Sequence, residues 1–310
     1  MMQATLHQLV VFEAVARHGS FTRAAEELSI RQPTVSSQIK QLSSAVGLPL
    51  FEQIGKRLYL TDAGKELLAT CQNIFEKLEN FEMKVADLKG TKQGSLSLAV
   101  ITTAKYFVPR LLGRFCRQFP GIDVSLSVIN HQEITRRMLE NQDDLYILSQ
   151  PPAEIDLVTQ PFLDNPLVVV ANRDHPLARK KNIPIHQLNG EAFIMREQGS
   201  GTRSAVEKLF AQHNIDVKVK LELGSNEAIK QAIAGGLGIS VLSEHTLIWE
   251  GPISELVILD VQHFPIERRW YVTSLGGKQI SVIAHAFKDF LIQECNQITV
   301  HSSHSLVISH

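Results

Sequence analysis

The chain has 310 residues, room for two or three domains with their own cores, and 44% hydrophobic with 20% charged residues describes a globular protein, not a disordered one. Its 31 basic and 32 acidic residues leave a formal net charge of −1, so attraction to nucleic acid must come from where charges point, not from their sum. Widely spaced Cys71, Cys116 and Cys295, scattered histidines without HExxH, and the lack of a long apolar run or a basic-then-apolar leader argue against a disulfide framework, a metal site, a membrane span and export, and predict a cytoplasmic protein.

In chain order, Leu6 to Arg17 reads as a first helix with Leu9, Phe12 and Ala16 inward, ended by His18-Gly19. Ser20 can cap a second helix on which Phe21, Ala24, Ala25 and Leu28 share a face. Ser29-Ile30 interrupts the pattern. It resumes from Gln32 with Val35, Ile39, Leu42 and Val46, and Pro33 falls in the first turn, where its missing N–H costs nothing. Two short helices joined by a tight turn can seat the second in a DNA major groove. The outward positions Arg31, Gln32, Thr34, Ser36, Ser37, Gln38 and Lys40 can read base edges or hold phosphates. On spacing alone an ordinary helical hairpin with a polar surface fits as well. GLPLFEQIGKRLYLT then places two apolar runs around Gly55-Lys56-Arg57, which predicts a wing whose tip cations touch phosphate; a solvated turn is the plain alternative.

From Leu60 the spacing becomes that of a zipper: Leu60, Gly64, Leu67, Cys71, Ile74, Leu78, Phe81, Val85 and Leu88 alternate in steps of four and three. Asp62 suits the start of this helix and Gly90 its end. A narrow stripe on a long helix predicts pairing with the same helix of a second subunit through Leu67, Ile74, Leu78, Phe81, Val85 and Leu88. Packing along the chain's own C-terminal domain is the alternative. KGTKQGS is a linker. Beyond it SLSLAVI, VSLSVI, LYIL, LVVVA, AFIM, VKLEL, ISVLS, LVILD and RWYV read as strands, with helices at 106–119, 132–141, 202–212, 226–234 and 279–293, which argues for a mostly parallel α/β sheet. The tail from Asn296 is expected to be poorly ordered.

Ligands of open α/β sheets gather beyond the carboxyl ends of strands, at helix N-termini. Three segments have that character: Thr102, Thr103 and Lys105 after the first strand; Arg196, Gly199, Ser200, Gly201, Thr202 and Arg203 after AFIM; and Ser225 with Asn226 after VKLEL. Small hydroxyls, glycines and arginines at helix starts suit an oxyanion, although each hydroxyl could also cap its helix with no ligand present. GSGT is not a P-loop and GGLG is not a dinucleotide fingerprint. No GxSxG, HExxH or Cys–His signature supports an enzyme.

FTRAAEEL, QPTVSSQIKQL, GLPLF and RLYLTDAG closely resemble the DNA-binding domain of LysR-type transcriptional regulators. The likeness runs on through LAVITTAKYFVPRLLGRF, FIMREQGSGTR and ELGSNEAIKQAIAGGLGISVLS, similar to the branch of cyanobacterial and plastid regulators of carbon acquisition. The resemblance implies an α/β protein with a winged helix-turn-helix at 1–60, a dimerisation helix at 61–89, a hinge at 90–94 and a periplasmic-binding-protein-like effector domain at 95–295, followed by a tail at 296–310. Its lobe I would be 95–163 with 266–295 and its lobe II 164–265, crossing at Pro161–Pro166 and Phe264–Arg268. It further implies a homotetramer that binds promoter DNA, meets RNA polymerase, uses no cofactor or metal, and activates carbon fixation or bicarbonate transport genes in response to a small anionic metabolite such as a phosphorylated sugar or 2-phosphoglycolate. The candidate DNA contacts are Thr22, Arg23, Arg31, Gln32, Pro33, Thr34, Ser36, Ser37, Gln38, Lys40, Lys56 and Arg57. The candidate effector contacts are Thr102, Thr103, Lys105, Gln150, Arg196, Gly199, Ser200, Gly201, Thr202, Arg203 and Asn226. Arg31 and Ser43 depart from the family pattern, Arg31 exchanging a helix cap for a cation. Outside the family, a solute-binding receptor carrying a helical interaction domain is the alternative reading.

Overall fold

The computed structural model describes residues 4–55, 57–88, 93–247 and 255–305, with side chains as far as Cys295 in the last stretch. Lys56, and residues 89–92 of the expected linker and hinge, lie outside the described residues. The chain divides into two compact units, Met1–Val85 and Ala86–His310.

In the first unit, helices α1 (Leu6–His18), α2 (Phe21–Glu27) and α3 (Gln32–Val46) precede a two-stranded antiparallel hairpin, β1 (Phe51–Ile54) with β2 (Arg57–Leu60), and the helix α4 (Asp62–Leu88) follows. Side chains start the first two helices. The Thr5 hydroxyl accepts from Gln8 N in a reciprocal capping box, and Ser20 accepts from Arg23 N. Phe12, Val15, Ala24, Val35 and Leu42 are fully or almost fully buried, and the inward stripe of α3 meets those of α1 and α2 in one core. Ser29, at φ 54°, makes the turn between α2 and α3. At the edge of the core, Gln8 Nε2 donates to Gln41 Oε1, tying α1 to α3.

The start of α4 belongs to this core, which corrects the zipper expectation at its near end. Leu67 is 8% exposed and Cys71 fully buried, both within the winged core, with Ile74 packed against it. Leu67 therefore cannot face a second subunit. The apolar positions left outward are Leu78, Phe81 and Leu88, at 41%, 65% and 87% exposure, with Ile74 and Val85 half-buried. Gly64 lets α4 approach the hairpin: a Cβ there would stand 2.1 Å from the Leu50 carbonyl oxygen, itself the acceptor for Thr61 N.

The second unit holds two sheets. A five-stranded sheet has the order β4 (Gly121–Ile129), β3 (Gln93–Ile101), β5 (Leu145–Leu148), β12 (Arg269–Leu275), β6 (Leu157–Asp164). The pairs β3–β4 and β3–β5 are parallel, whereas β12 runs antiparallel to both neighbours. The other lobe has β7 (Leu167–Asn172) between β10 (Ser240–Ser243) and β11 (Leu256–Leu259), all antiparallel, and a parallel pair β8 (Ala192–Arg196) with β9 (Lys218–Leu223). A bridge from Phe193 to Ile239 links the two sets. The sheets are thus mixed, not mostly parallel as the alternation of elements predicts. The expected strands form, and β6 is an addition: Pro161 suggests a chain crossing, but β6 is an edge strand paired only with β12, where a missing N–H is tolerated and a bulge absorbs the irregularity.

Helices α5 (Val108–Gln118), α6 (His131–Leu139), α7 (Gly201–His213), α8 (Asn226–Ala234) and α9 (Val282–Ser305) cover the sheets. Phe115 on α5 meets Phe287 on α9 edge-on at 5.2 Å, and Ala284, Phe287, Leu291 and Cys295 form the buried stripe of α9. That helix runs to Ser305, well past the end at 293 that the sequence pattern predicts, so the expected loose tail from Asn296 begins as helix. Gln93 and Gly94, expected in the hinge, open β3.

The chain passes between the lobes twice, and the two passages lie side by side. Asn165 N donates to Arg268 O at 2.7 Å, Leu167 N to Ile266 O at 3.0 Å, and Ile266 N to Leu167 O at 2.9 Å.

Substituting Gly64→Ala should cost about 1–3 kcal/mol through forced separation of α4 from the hairpin. A lowered urea midpoint for the helical signal checks it, and a midpoint equal to wild type would deny the close approach.

Candidate functional site

On the first unit, burial of Val35, Ile39 and Leu42 turns the rest of α3 outward. Arg31, Gln32, Pro33, Thr34, Ser36, Ser37 and Lys40 are exposed and Gln38 half-buried; Thr22 and Arg23, in the first turn of α2, are exposed as well. Arg31 takes the N-cap position of α3 without a side-chain cap bond, so its guanidinium is left to solvent and does not serve the helix end.

Charge pairing separates the faces of this unit. Arg17 bonds Glu13 and Glu27, His18 bonds Glu27, and Lys65 bonds Asp62. Arg23, Arg31, Lys40 and Arg57 have no ion pair among the described residues. Unpaired, solvated cations can exchange counterions for phosphate without first breaking a salt bridge. The candidate DNA contacts thus include four cations free to make that exchange.

In the second unit, the carboxyl ends of four strands converge on one cleft. Thr102 and Thr103 follow β3, Asn130 and His131 follow β4, Ser149 follows β5, Arg196 ends β8, and Ser200 and Gly201 begin α7. These residues, with Ile101, Glu197 and Thr202, line the cleft. Asn130 caps α6 through Glu133 N, and Ser225 caps α8 through Ala228 N. No side chain caps α7. Gly199, at φ +80°, makes the turn that brings Ser200 to the cleft.

The arginines behave differently from the sequence expectation. Arg196, 4% exposed, donates twice to Glu197, at 2.7 and 2.8 Å, and also to Asn226 Oδ1 at 2.9 Å and Thr102 Oγ1 at 3.3 Å. Its charge is matched by a neighbouring carboxylate inside the cleft. Arg203 is not a cleft residue. Its guanidinium bonds Glu207, Glu222 and the Arg196 carbonyl, because position 203 on α7 faces β9 and the next helical turn while 200 and 202 face the cleft. Lys105 lies over the Tyr106 ring, 5.1 Å from its centre, and does not line the cleft. Gln150 sits beside Gly201, and its carbonyl faces His131 Nε2 at 2.8 Å. Asn226 stands behind Arg196 as a supporting acceptor.

Asn130, His131, Ser149 and Glu197 are the polar lining residues that sequence reading missed, with Ile101 the apolar one. Asn130 carried a readable signal, a cap residue directly after a strand. Arg268 was missed too: from the second passage between lobes its Nη2 donates to Ser149 Oγ at 2.7 Å and its Nη1 to Gly201 O at 3.1 Å. Burial lowers the affinity of Arg268 for its proton to a pKa of about 10.

Near the other passage, His245 Nε2 pairs with the carbonyl of Asp164 at 2.7 Å, and its ring lies 5.5 Å from that of Phe107 and 6.3 Å from that of Trp270. Burial lowers the His245 pKa, opposed by the Asp164 carbonyl bond and the Glu244 charge. Among the described residues no group of three or more His, Cys, Asp or Glu is placed to hold a metal ion, and no described helix is long and apolar enough to cross a membrane.

Because the unfolded chain protonates His245 near the ordinary value of 6.5 and the folded chain only at lower pH, stability should fall as pH drops below about 6.5. In melting curves from pH 7.5 to 5, His245→Gln should lose less stability over that window than wild type; parallel losses would show that this imidazole stays unprotonated or irrelevant.

Comparison with known proteins places these two sites in context. The model for the bacterial regulatory helix-turn-helix protein, lysR family, matches residues 6–65, and that for the LysR substrate binding domain matches residues 89–296. The HTH-type transcriptional activator CmpR of Synechocystis sp. is 51% identical over 300 residues, 97% of this chain and 99% of that protein. The RuBisCO operon transcriptional regulator of Acidithiobacillus ferrooxidans is 52% identical over 288 residues, 93% of each. Among solved structures, the Synechocystis PCC6803 CcmR regulatory domain in complex with 2-PG is 68% identical, with a TM-score of 0.65 over 66% of this chain and 98% of that one. Full-length CbnR complexed with its target DNA, 21% identical with a TM-score of 0.65 over 94% of this chain and 99% of that one, shares the fold. The chain belongs to the LysR family of DNA-binding transcriptional regulators.

Proposed function

We propose that this regulator controls carbon fixation and bicarbonate transport genes, as an activator like CmpR, and that its cleft senses a small phosphorylated anion of the 2-phosphoglycolate kind. The observation that carries the effector reading is the state of the cleft hydroxyls. Thr103, Ser200 and Thr202, at 4%, 4% and 8% exposure, line the cleft, and none of their hydroxyls has a hydrogen-bond partner among the described residues. These hydroxyls are not among the sealed unpartnered atoms of the described residues, so they open on the cleft, and three free donors around one cavity suit a ligand rich in acceptor oxygens. The likeness to a regulatory domain solved with 2-PG supports the same chemistry.

On the DNA side, the outward face of α3 with Arg31, Gln32, Thr34, Ser36, Ser37, Gln38 and Lys40 is the reading face, and Thr22, Arg23, Pro33 and the wing with Arg57 flank it; Lys56 lies outside the described residues. The seam that pairs subunits runs through Ile74, Leu78, Phe81, Val85 and Leu88, one position set shorter than the sequence predicts because Leu67 is taken by the winged core. Dimers assemble further into tetramers that act on promoter DNA and RNA polymerase in the cytoplasm. The effector works by population shift: it favours one arrangement of the lobes, and the coupling to operator affinity falls in the usual range of about 1–3 kcal/mol.

Fluorescence anisotropy of labelled promoter DNA, with and without 2-phosphoglycolate, tests the whole reading; no operator binding, or binding indifferent to the metabolite, would sink it. Replacing Gln32 or Gln38 with Ala should weaken specific over non-specific binding by about 1–3 kcal/mol for each base edge the side chain reads. An unchanged sequence preference would remove that glutamine from the reading face. Phe81→Glu should split the assembly into monomers by light scattering, and an intact oligomer would place the seam elsewhere.

A further inference from the structure

Of three guanidinium groups near the cleft, Arg196 lines it, Arg203 faces away from it, and Arg268 stands behind the lining residues Ser149 and Gly201. Arg268 lies on the side of a neighbouring hollow that Asp164 and Glu267 also line. The first two already have carboxylates. Arg196 is matched by Glu197, and Arg203 by Glu207 and Glu222. Arg268 has only neutral acceptors, the Ser149 hydroxyl and the Gly201 carbonyl, and no carboxylate bonds it among the described residues. Arg268 is half-buried and lacks a paired carboxylate, an unfavourable state for a cation, and partial desolvation lowers its proton affinity in the same sense.

Its surroundings are those of an oxyanion site. A Cβ on Gly201 would lie 3.4 Å from Arg268 Nη2, so the guanidinium abuts the amino end of α7. That end receives no side-chain cap, whereas α6 and α8 are capped by Asn130 and Ser225. Ser200 and Thr202, both more than nine-tenths buried, line the cleft there with unbonded hydroxyls. The charges also fit. With Arg196 and Glu197 cancelling, Arg268 and the helix end supply roughly +1.5, close to the −1.5 to −2 of a phosphomonoester near pH 7.

We propose that Arg268 is the charge-selecting residue of the cleft, holding the doubly charged phosphoryl group of a phosphomonoester with the hydroxyls of Ser149, Ser200 and Thr202 and the first turn of α7. Arg196, on which the sequence reading placed this role, shapes the wall through Glu197, Asn226 and Thr102. The proposal rests on the cleft being the effector site. A ligand without the phosphoryl group leaves those donors unmet, which is how a polar site rejects it.

The test is calorimetric titration of the full chain with 2-phosphoglycolate and with glycolate, from pH 5.5 to 7.5 at fixed ionic strength. Wild type should prefer 2-phosphoglycolate, and its affinity should rise as the phosphoryl group loses its second proton near pH 6. R268Q should lose about 10- to 100-fold for 2-phosphoglycolate, as expected for a charge-assisted bond, with little change for glycolate and a flattened pH profile. R203Q should keep both the preference and the profile. R268K should bind more weakly than wild type yet keep the rise with pH, and it decides the matter should circular dichroism show R268Q unfolded. R268Q binding within twofold of wild type, or R268K without the pH rise, overturns the role of Arg268 while leaving the cleft reading intact. Wild type failing to bind 2-phosphoglycolate overturns both.

Discussion

The effector unit depends on one short ladder. Its lobes are joined by two chain passages held side by side by three backbone hydrogen bonds between Asn165–Leu167 and Ile266–Arg268. Because these bonds are local and the lobes have separate cores, rotation at the passages costs less than deforming either core. Everything that lines the cleft is therefore fixed to a rigid lobe at the carboxyl end of a strand, and what varies is how the two walls face each other. Side-chain bonds that cross between the walls include Arg196 to Thr102, Tyr106 to Glu227, and Arg268 to the Gly201 carbonyl. A ligand that competes for any of these partners changes the balance between arrangements, which is the form differential binding must take.

The DNA-reading unit solves a different problem with similar means. A helix that must show polar side chains to a duplex has to be held by one apolar face alone, and Val35, Ile39 and Leu42 supply it. The wing and the first turns of α4 close the same core, with Gly64 allowing contact at the Leu50 carbonyl. Using Leu67 and Cys71 there means the near end of the stripe is spent on the winged core. The stripe is continuous in sequence, yet beyond Ile74 its positions Leu78, Phe81 and Leu88 are left exposed.

How much of this could be read beforehand follows from which forces are local. Helices α1 to α4 were legible because caps and apolar spacing act within a few residues. Strands buried on both faces, such as Leu145–Leu148 and Leu167–Asn172, were legible as apolar runs. Strand direction was not, since the antiparallel pairing of β12 with β5 and β6 joins residues more than a hundred positions apart. β6 stayed hidden because Pro161 argues against a strand unless its edge position is known. The cleft threonines and serines were found by their place after strands. Anion binding is not read correctly at Arg203 because Glu207 and Glu222 reach it only in the fold, and Arg268 carries no local signal because its contacts with Ser149 and Gly201 are distant in sequence.

Arg203 and Arg268 differ in one respect that matters for a chain whose charges sum to −1. An arginine in a sequence signals a possible anion site only if no carboxylate reaches it first, and that is decided by tertiary contact. In both units the informative cations are the ones left over: Arg23, Arg31, Lys40 and Arg57 on the DNA-reading unit, and Arg268 at the cleft. Paired cations such as Arg17 and Arg203 hold structure together and are already screened by their partners. A protein of near-zero net charge can thus present two positive sites, one solvated and spread for a polyanion, one desolvated and compact for a small dianion. The difference in solvation sets what each can do: the solvated set gains by counterion release and weakens as salt rises, while the desolvated one acts at short range and is screened far less.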